Sequence, residues 1–346
     1  MFARLVPCVF VCLSLLAQQP ETAPPKQGVR EHLPPSFHAQ VNEVIVPVTV
    51  VDEKDRFVSN LELQDFKIYD EDREQKIIYF SREQKQPVVV GFLLDMSNAS
   101  SLHWKKYQEA AIDLVLQLLP GDKRYSGYLI TYGNEAELVV NTTTDAQKIT
   151  GKIEKLKPGG GAALFDAIYM ACLRRSPIEG EPFEPRRILV VIGDGHDTAS
   201  KHSFDEVLEL AQRKLVTIHG LSTVAFGFTS DGEQILKRLC EATGGRLEYP
   251  LGAGRLYKDV PGQLSNPSDE GNYAYQVGTG RYTGAIAEAI YGSIAAISGE
   301  IITQYILRYA PDVTDTAKQV RHIRVDVNLP NVKVRARKEY YPYSPP

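Results

Sequence analysis

Two hydrophobic rhythms divide the chain. From Val44 to Ser81, β-branched and aromatic residues alternate with polar ones, first in VIVPVTVV and, after a polar turn at 52–55, in FKIYDEDREQKIIYFS. Alternation with period two predicts half-buried antiparallel strands. The 65–69 and 76–80 pieces, parted by charged turn residues, are expected to pair with each other. At Val88 the rhythm changes. VVVGFLLD is a continuous apolar run closed by Asp95, which predicts a central strand covered on both faces. A helix follows with Trp104, Tyr107, Ala110, Ala111, Leu114 and Leu118 at helical spacing, stopped by Pro120 and Gly121.

The alternation continues downstream. Strands are expected at 124–132 and 135–141, a helix at 145–156, and a second helix from Ala163 that buries Leu164, Ile168 and Cys172. The run RRILVVIGDG predicts another buried strand at 187–192. The next helix begins at an N-cap, Ser203, with Glu206 in capping-box position. Strand, helix and a short edge strand then lead to Pro250. Strands and helices in this order predict an α/β fold, three-layer and doubly wound around a mostly parallel sheet. Residues 251–282 form an irregular Gly- and Tyr-rich loop, and a helix at 283–297 follows it. Two alternating strands close the chain with no helices of their own. Their simplest packing is against the strands at 37–84, giving a small β domain built from both chain ends with the α/β domain inserted at 85–300 and the C-terminal strands at 301–346.

The chain begins MFARLVPCVFVCLSLLA, an apolar stretch too short to span a bilayer and followed by a small-residue cleavage context. It reads as a signal peptide over 1–17, with a Pro-rich linker at 18–36 and no transmembrane segment in the mature chain. Localisation is therefore expected to be exported, either periplasmic or secreted. Among 346 residues, 43% are hydrophobic and 24% charged, ordinary usage for a soluble chain with a large core, and the net charge of −4 excludes a strongly basic nucleic-acid footprint. Cys8 and Cys12 leave with the leader. Cys172 and Cys240 remain, either as a disulfide or as buried thiols on apolar helical faces.

Open α/β sheets bind ligands beyond the carboxyl ends of their central strands. Two acidic loops occupy such ends here: Asp95-Met96-Ser97-Asn98-Ala99-Ser100 and Asp194-Gly195-His196-Asp197. The glycine turn at 159–161 is expected beside them. Carboxylates and hydroxyls converging there suit a hard cation, Mg²⁺ or Mn²⁺, its shell completed by water and a partner's carboxylate. Asp166 reads as a helix-N-terminal carboxylate and His196 as an exposed loop histidine. No Gly-x-Ser-x-Gly elbow and no Gly-Lys-Ser/Thr phosphate loop occurs. The residues nominate no catalytic set.

The stretch 88–249 resembles a von Willebrand factor A domain. Asp95-Met96-Ser97 and Gly193-Asp194-Gly195 resemble two loops of that family's metal-ion-dependent adhesion site, and GGGAALFDA is similar to its middle loop. The flanking segments FKIYDEDREQKIIYFS and QYILRYAP…VKVRARKEYY extend the resemblance, over nearly the whole mature chain, to exported acidobacterial proteins of von Willebrand factor A-related type. The resemblance implies metal ligands at Asp95, Ser97 and Asp194. It also exposes departures: Ala99 stands where the second serine belongs, with Ser100 one residue late, and Ala162 stands where a threonine is usual. The site is thus degenerate, with Asn98, Ser100 or Asp197 as candidate helpers.

Two functional readings follow. One is a non-enzymatic protein-binding module that engages an unidentified protein through the sheet top, with an acidic residue of the partner as the bridge. The other is a metal-independent structural or assembly component of the cell envelope, in which the β domain makes the contacts. Tyr273, Tyr275 and Tyr282 in the irregular loop, and Tyr340, Tyr341 and Tyr343 near the end, are weaker candidates for contact residues.

Overall fold

A computed structural model describes residues 43–82, 87–173, 185–224, 231–250, 281–311 and 320–341. In chain order the elements are β1 (Val44–Val51), β2 (Phe66–Asp70), β3 (Arg73–Gln75), β4 (Ile77–Ser81), β5 (Val88–Asp95), α1 (Trp104–Leu118), β6 (Tyr125–Tyr132) and β7 (Ala136–Thr143). There follow α2 (Ala146–Ile153), α3 (Leu164–Leu173), β8 (Arg186–Gly193), α4 (Phe204–Arg213), β9 (Val216–Ser222), α5 (Asp231–Thr243), β10 (Leu247–Glu248), α6 (Arg281–Thr303), β11 (Tyr305–Tyr309), β12 (Arg321–Val327), β13 (Lys333–Ala336) and β14 (Glu339–Tyr340). The expected leader and linker lie outside the described residues. So does the irregular loop, except that α6 already begins at Arg281.

Strand β5 sits in a six-stranded sheet of order β10-β9-β8-β5-β6-β7, parallel except for the edge strand β7. Its continuous apolar run follows from cover on both faces. Val88, Val90, Phe92 and Leu94 pack with α1, α2 and α6, while Leu93 joins α3, α4 and α5 on the other side. Strand β8 divides likewise, with Ile188, Val190 and Ile192 on the first face and Leu189 and Val191 on the second. Each such side chain, fully buried, contributes about 1.5–3 kcal/mol. Ser203 and Glu206 form the expected capping box at the start of α4, and Asp145 caps α2. Cys172 and Cys240 are buried, unbonded thiols; burial raises both, that of Cys172 to about 12. The disulfide reading is thereby set aside.

The terminal strands form two four-stranded sheets, β13-β1-β11-β4 and β14-β12-β2-β3. Val46, Val48, Leu307 and Tyr309 of the first meet Phe66, Ile68, Ile323 and Tyr340 of the second in one core, so the two chain ends build a β-sandwich into which the α/β layers are inserted. Asp70, fully buried, accepts hydrogen bonds from Tyr309 across the sandwich (3.0 Å) and from Tyr340 (2.8 Å) and Arg321 Nε (2.8 Å). One expected pairing is corrected. Glu71 and Asp72 both take positive φ, closing a two-residue turn that sets Asp70 opposite Arg73, so β2 pairs with β3. The 77–81 strand crosses instead to β11, where Phe80 packs on Phe66 and Tyr305 at 5.7 and 6.0 Å.

Candidate functional site

Asp95, Tyr132 and Gly193 end three neighbouring strands. The parallel register sets Asp95 beside Tyr132 on one side, and Gly193 follows the Leu94↔Ile192 pair on the other. Asp95 is 2% exposed. Its Oδ1 accepts the Ser97 N–H at 2.7 Å, whereas its Oδ2 is enclosed and has no hydrogen-bond partner. Burial pushes the Asp95 carboxyl above its ordinary pKa and the Asp194 charge adds to this, against the opposing pull of the Ser97 N–H and the neighbouring Ser97 and Ser100 hydroxyls. Ser97 is buried at the head of a 3-10 turn, Asn98–His103, which its side chain does not cap. Ser100 is buried within that turn; its Oγ makes no hydrogen bond of full geometry but approaches Asp95.

The glycine turn does lie beside the Asp95 loop. Gly159 N–H donates to Met96 O (2.6 Å), Asn98 N–H to Gly160 O (3.1 Å), and Gly160 N–H to Asn98 Oδ1 (3.3 Å). Asn98, a candidate helper for a cation, is thus spent on joining the two loops. Asp197 is spent as well. Its Oδ2 accepts the Phe165 N–H (2.9 Å) at the start of α3, and both its oxygens are taken up by Ser200. Thr198 Oγ1 accepts the Ala162 N–H (3.0 Å) and Ser200 Oγ accepts the Asp166 N–H (2.9 Å), so the loop after β8 satisfies the free donors at the α3 N-terminus.

Asp166 lies in the first turn of α3, and its carboxylate reaches back to the Lys201 and His202 N–H groups (3.0 and 3.1 Å) and to His202 Nδ1 (2.7 Å). Burial pulls its pKa up, but these bonds outweigh it and hold the carboxyl below the ordinary value. His202 stacks on Tyr169 at 3.6 Å. Asp194, mostly buried, accepts the His196 N–H at Oδ1 (2.9 Å), and its Oδ2 lies 3.1 Å from His196 Nδ1. His196 is therefore a half-exposed partner of Asp194.

Tyr132 is the residue that sequence reasoning passed over. It is fully buried and its hydroxyl has no hydrogen-bond partner. Burial raises its pKa, and the charges of Asp95, Asp194 and Asp197 add to this. A Cβ at Gly193 would stand 2.1 Å from the Tyr132 hydroxyl and 3.3 Å from Asp95 Oδ2, so glycine is what lets these two oxygens share the strand ends. Gly195 has a second constraint: its φ is +81°, and a Cβ would meet Gly232 O at 2.0 Å.

Fold and site together define a von Willebrand factor A-like α/β layer carried on a β-sandwich, with acidic loops at the carboxyl ends of its strands. The family model of the von Willebrand factor type A domain matches residues 90–196. No curated protein matches the chain. Solved structures similar to it include an aerotolerance-related membrane protein from Bacteroides fragilis, at 20% identity over 46% of this chain and 90% of that one, with a TM-score of 0.37. BatB from Bacteroides thetaiotaomicron is 17% identical over 58% of this chain and 99% of that one, TM-score 0.39. Proximal thread matrix protein 1 from the mussel byssus, solved with a zinc-occupied MIDAS motif, is 14% identical over 67% and 49%, TM-score 0.39.

A cation at the strand ends, which the resemblance implies, would meet oxygen donors there. The open donors are oxygens of carboxylate and hydroxyl type, the set that a hard divalent ion takes. The unpartnered Asp95 Oδ2 lies among them. Among the described residues no three His, Cys, Asp or Glu side chains gather closely enough to hold a metal by themselves, so any ion there relies on hydroxyls and water.

Proposed function

We propose that the chain is an exported, non-enzymatic protein-binding module. Its sheet-top loops engage an acidic residue of a partner protein through Mg²⁺ or Mn²⁺ held by Asp95, Ser97 and Asp194. The observation that carries this reading is the enclosed Asp95 Oδ2, which has no hydrogen bond of full geometry and lies next to a second carboxylate. An ionised carboxylate so placed is costly unless a counter-charge meets it, and a cation relieves both its isolation and the repulsion from Asp194. Asp166 and Asp197, the other carboxylates of these loops, are committed to backbone and side-chain donors, which leaves neither as a base toward bound water. Among the described residues no helix is long and apolar enough to cross a membrane. The leader-like residues 1–17 and the likeness of the flanking segments to exported bacterial proteins support export.

The test is a calorimetric titration of Mg²⁺, then Mn²⁺, into chelator-treated protein, with Asp95→Ala as control and circular dichroism to verify its fold. Saturable binding lost in Asp95→Ala supports the reading; no heat of binding at millimolar cation overturns it. A second reading, metal-independent assembly through the β domain, draws on the edge strand β4. There Ile78 and Tyr79 are 46% and 38% exposed, and among the described residues β4 has one strand neighbour, β11. That reading expects self-association or partner capture that is indifferent to chelator and abolished by Ile78→Lys.

A further inference from the structure

Asp95 Oδ2, Ser100 Oγ and Tyr132 Oη are three enclosed side-chain oxygens that make no hydrogen bond of full geometry, although the Ser100 hydroxyl lies close enough to Asp95 to lower its pKa. Buried polar atoms are satisfied in nine cases of ten or more. Three such oxygens on adjoining segments point to a polar occupant between them. They belong to one locality. The Tyr132 and Asp95 oxygens both crowd the point where a Gly193 Cβ would be, Asp95 and Tyr132 are register partners, and Ser100 follows Asp95 by five residues within the same loop.

The two hydroxyls also answer the two departures in the sequence. Ala99 and Ala162 remove two oxygens from the familiar arrangement, and the polar groups that might have stepped in nearby are engaged elsewhere: Asn98 with Gly160, Thr198 with Ala162, Asp197 with Phe165 and Ser200. Tyr132 remains uncommitted, and Ser100 approaches only Asp95. Resting on the cation reading above, we propose that this chain carries a rebuilt cation pocket whose replacement oxygens are Ser100 Oγ and Tyr132 Oη. Both face the ion together with Asp95 Oδ2, below the exposed rim of the loops. The Tyr132 hydroxyl, a neutral donor and acceptor, can orient a water of the ion's shell as well as contact the ion. The ion taken is a small hard divalent cation, since every donor is oxygen.

The test uses the full mature chain, stripped with chelator, and two readouts. Terbium serves as a luminescent probe of the cation position, sensitised by nearby tyrosine; Mg²⁺ affinity is measured by calorimetry and by competition against terbium. Wild type, Asp95→Asn, Ser100→Ala and Tyr132→Phe are compared, each with its melting curve with and without cation. The expected result is that Ser100→Ala and Tyr132→Phe each weaken Mg²⁺ about tenfold or more. Tyr132→Phe is also expected to lower terbium luminescence per bound ion and to lose most of the cation-induced rise in melting temperature, while folding as well as wild type without cation. Wild type and both hydroxyl variants binding Mg²⁺ with equal affinity and equal terbium luminescence would overturn this inference and leave the cation reading standing. Failure of wild type to bind either ion would remove both, with a bridging water as the remaining occupant.

Discussion

Replacing Gly193 by alanine tests the geometry of the strand ends without any ligand. The added Cβ would lie 2.1 Å from the Tyr132 hydroxyl and 2.9 Å from Asp95 Cβ, and both neighbours are buried side chains that would have to shift. Forcing a methyl into such packing costs about 1–3 kcal/mol, and the first contact is far closer than a Cβ comes to a non-bonded neighbour, so the upper part of that range is expected. Tyr132→Phe removes the offending oxygen and also an enclosed hydroxyl without a partner, so alone it is expected to be neutral or to stabilise by up to about 1 kcal/mol. In the double variant the approaches to Asp95, 2.9 Å to Cβ and 3.3 Å to Oδ2, remain. Gly193→Ala should then cost roughly 1 kcal/mol, giving a coupling between the two positions of about 1–2 kcal/mol. Urea unfolding of the four proteins in chelator, with slopes checked for equality, measures it. Each kilocalorie corresponds to about 2–4 °C in melting temperature for a domain of 150–250 residues. Additivity within about 0.5 kcal/mol would show that the Tyr132 hydroxyl is not over Gly193, and the pocket argued from it would fail with it.

Other consequences are independent of that contact. Asp70→Ala takes the shared acceptor from Tyr309, Tyr340 and Arg321, leaving a partly buried guanidinium unpaired, and is expected to destabilise the sandwich by about 3–5 kcal/mol by chemical denaturation. Glu300→Ala, at a fully buried carboxylate that accepts from Arg335 Nη2 at 2.8 Å with Arg246 3.8 Å away, is expected to cost a similar amount, and a loss below about 1 kcal/mol would refute the pairing. Asp95 has a raised folded pKa, so it binds its proton more tightly folded than unfolded: its contribution is favourable below the unfolded pKa and is lost as pH rises through the folded one. In chelator, Asp95→Asn should therefore melt above wild type at neutral pH, with the gap closing as pH falls through the raised value; a gap that widens on acidification would refute the assignment. Cys172 and Cys240 should resist thiol reagents in the native state and both react in denaturant, as burial at 2% and 0% exposure requires.

The fold was legible because its signals are local and redundant. VVVGFLLD and RRILVVIG each have only apolar positions before their last residue or two, apart from the leading arginines, and such short β-branched runs suit a strand covered on both faces. Ser203 with Glu206 announced the start of α4 by the same chemistry that the structure shows. The β2–β4 pairing failed for a definite reason. Its strands were matched by apolar content, whereas register was set by two residues, Glu71 and Asp72, in a conformation that sequence alone does not mark for Glu.

The site was legible in its backbone and not in its occupancy. Asp95, Ser97 and Asp194 stand where strand ends had to be, because parallel strands of equal length place their carboxyl ends in one row. Which side chains remain free in that row is a long-range matter. Asp197, written next to the candidate ligands, belongs in space to the α3 N-terminus more than thirty residues away, and Asn98 belongs to the glycine turn sixty-two residues away. Tyr132 sits in a strand with the same burial pattern as any core tyrosine, and only the parallel register with β5 reveals that its hydroxyl ends beside Asp95. A motif read along the chain counts oxygens near one another in sequence. The structure counts those left over after caps and turns have taken theirs, and here the two sets differ by Asn98 and Asp197 lost and Tyr132 gained.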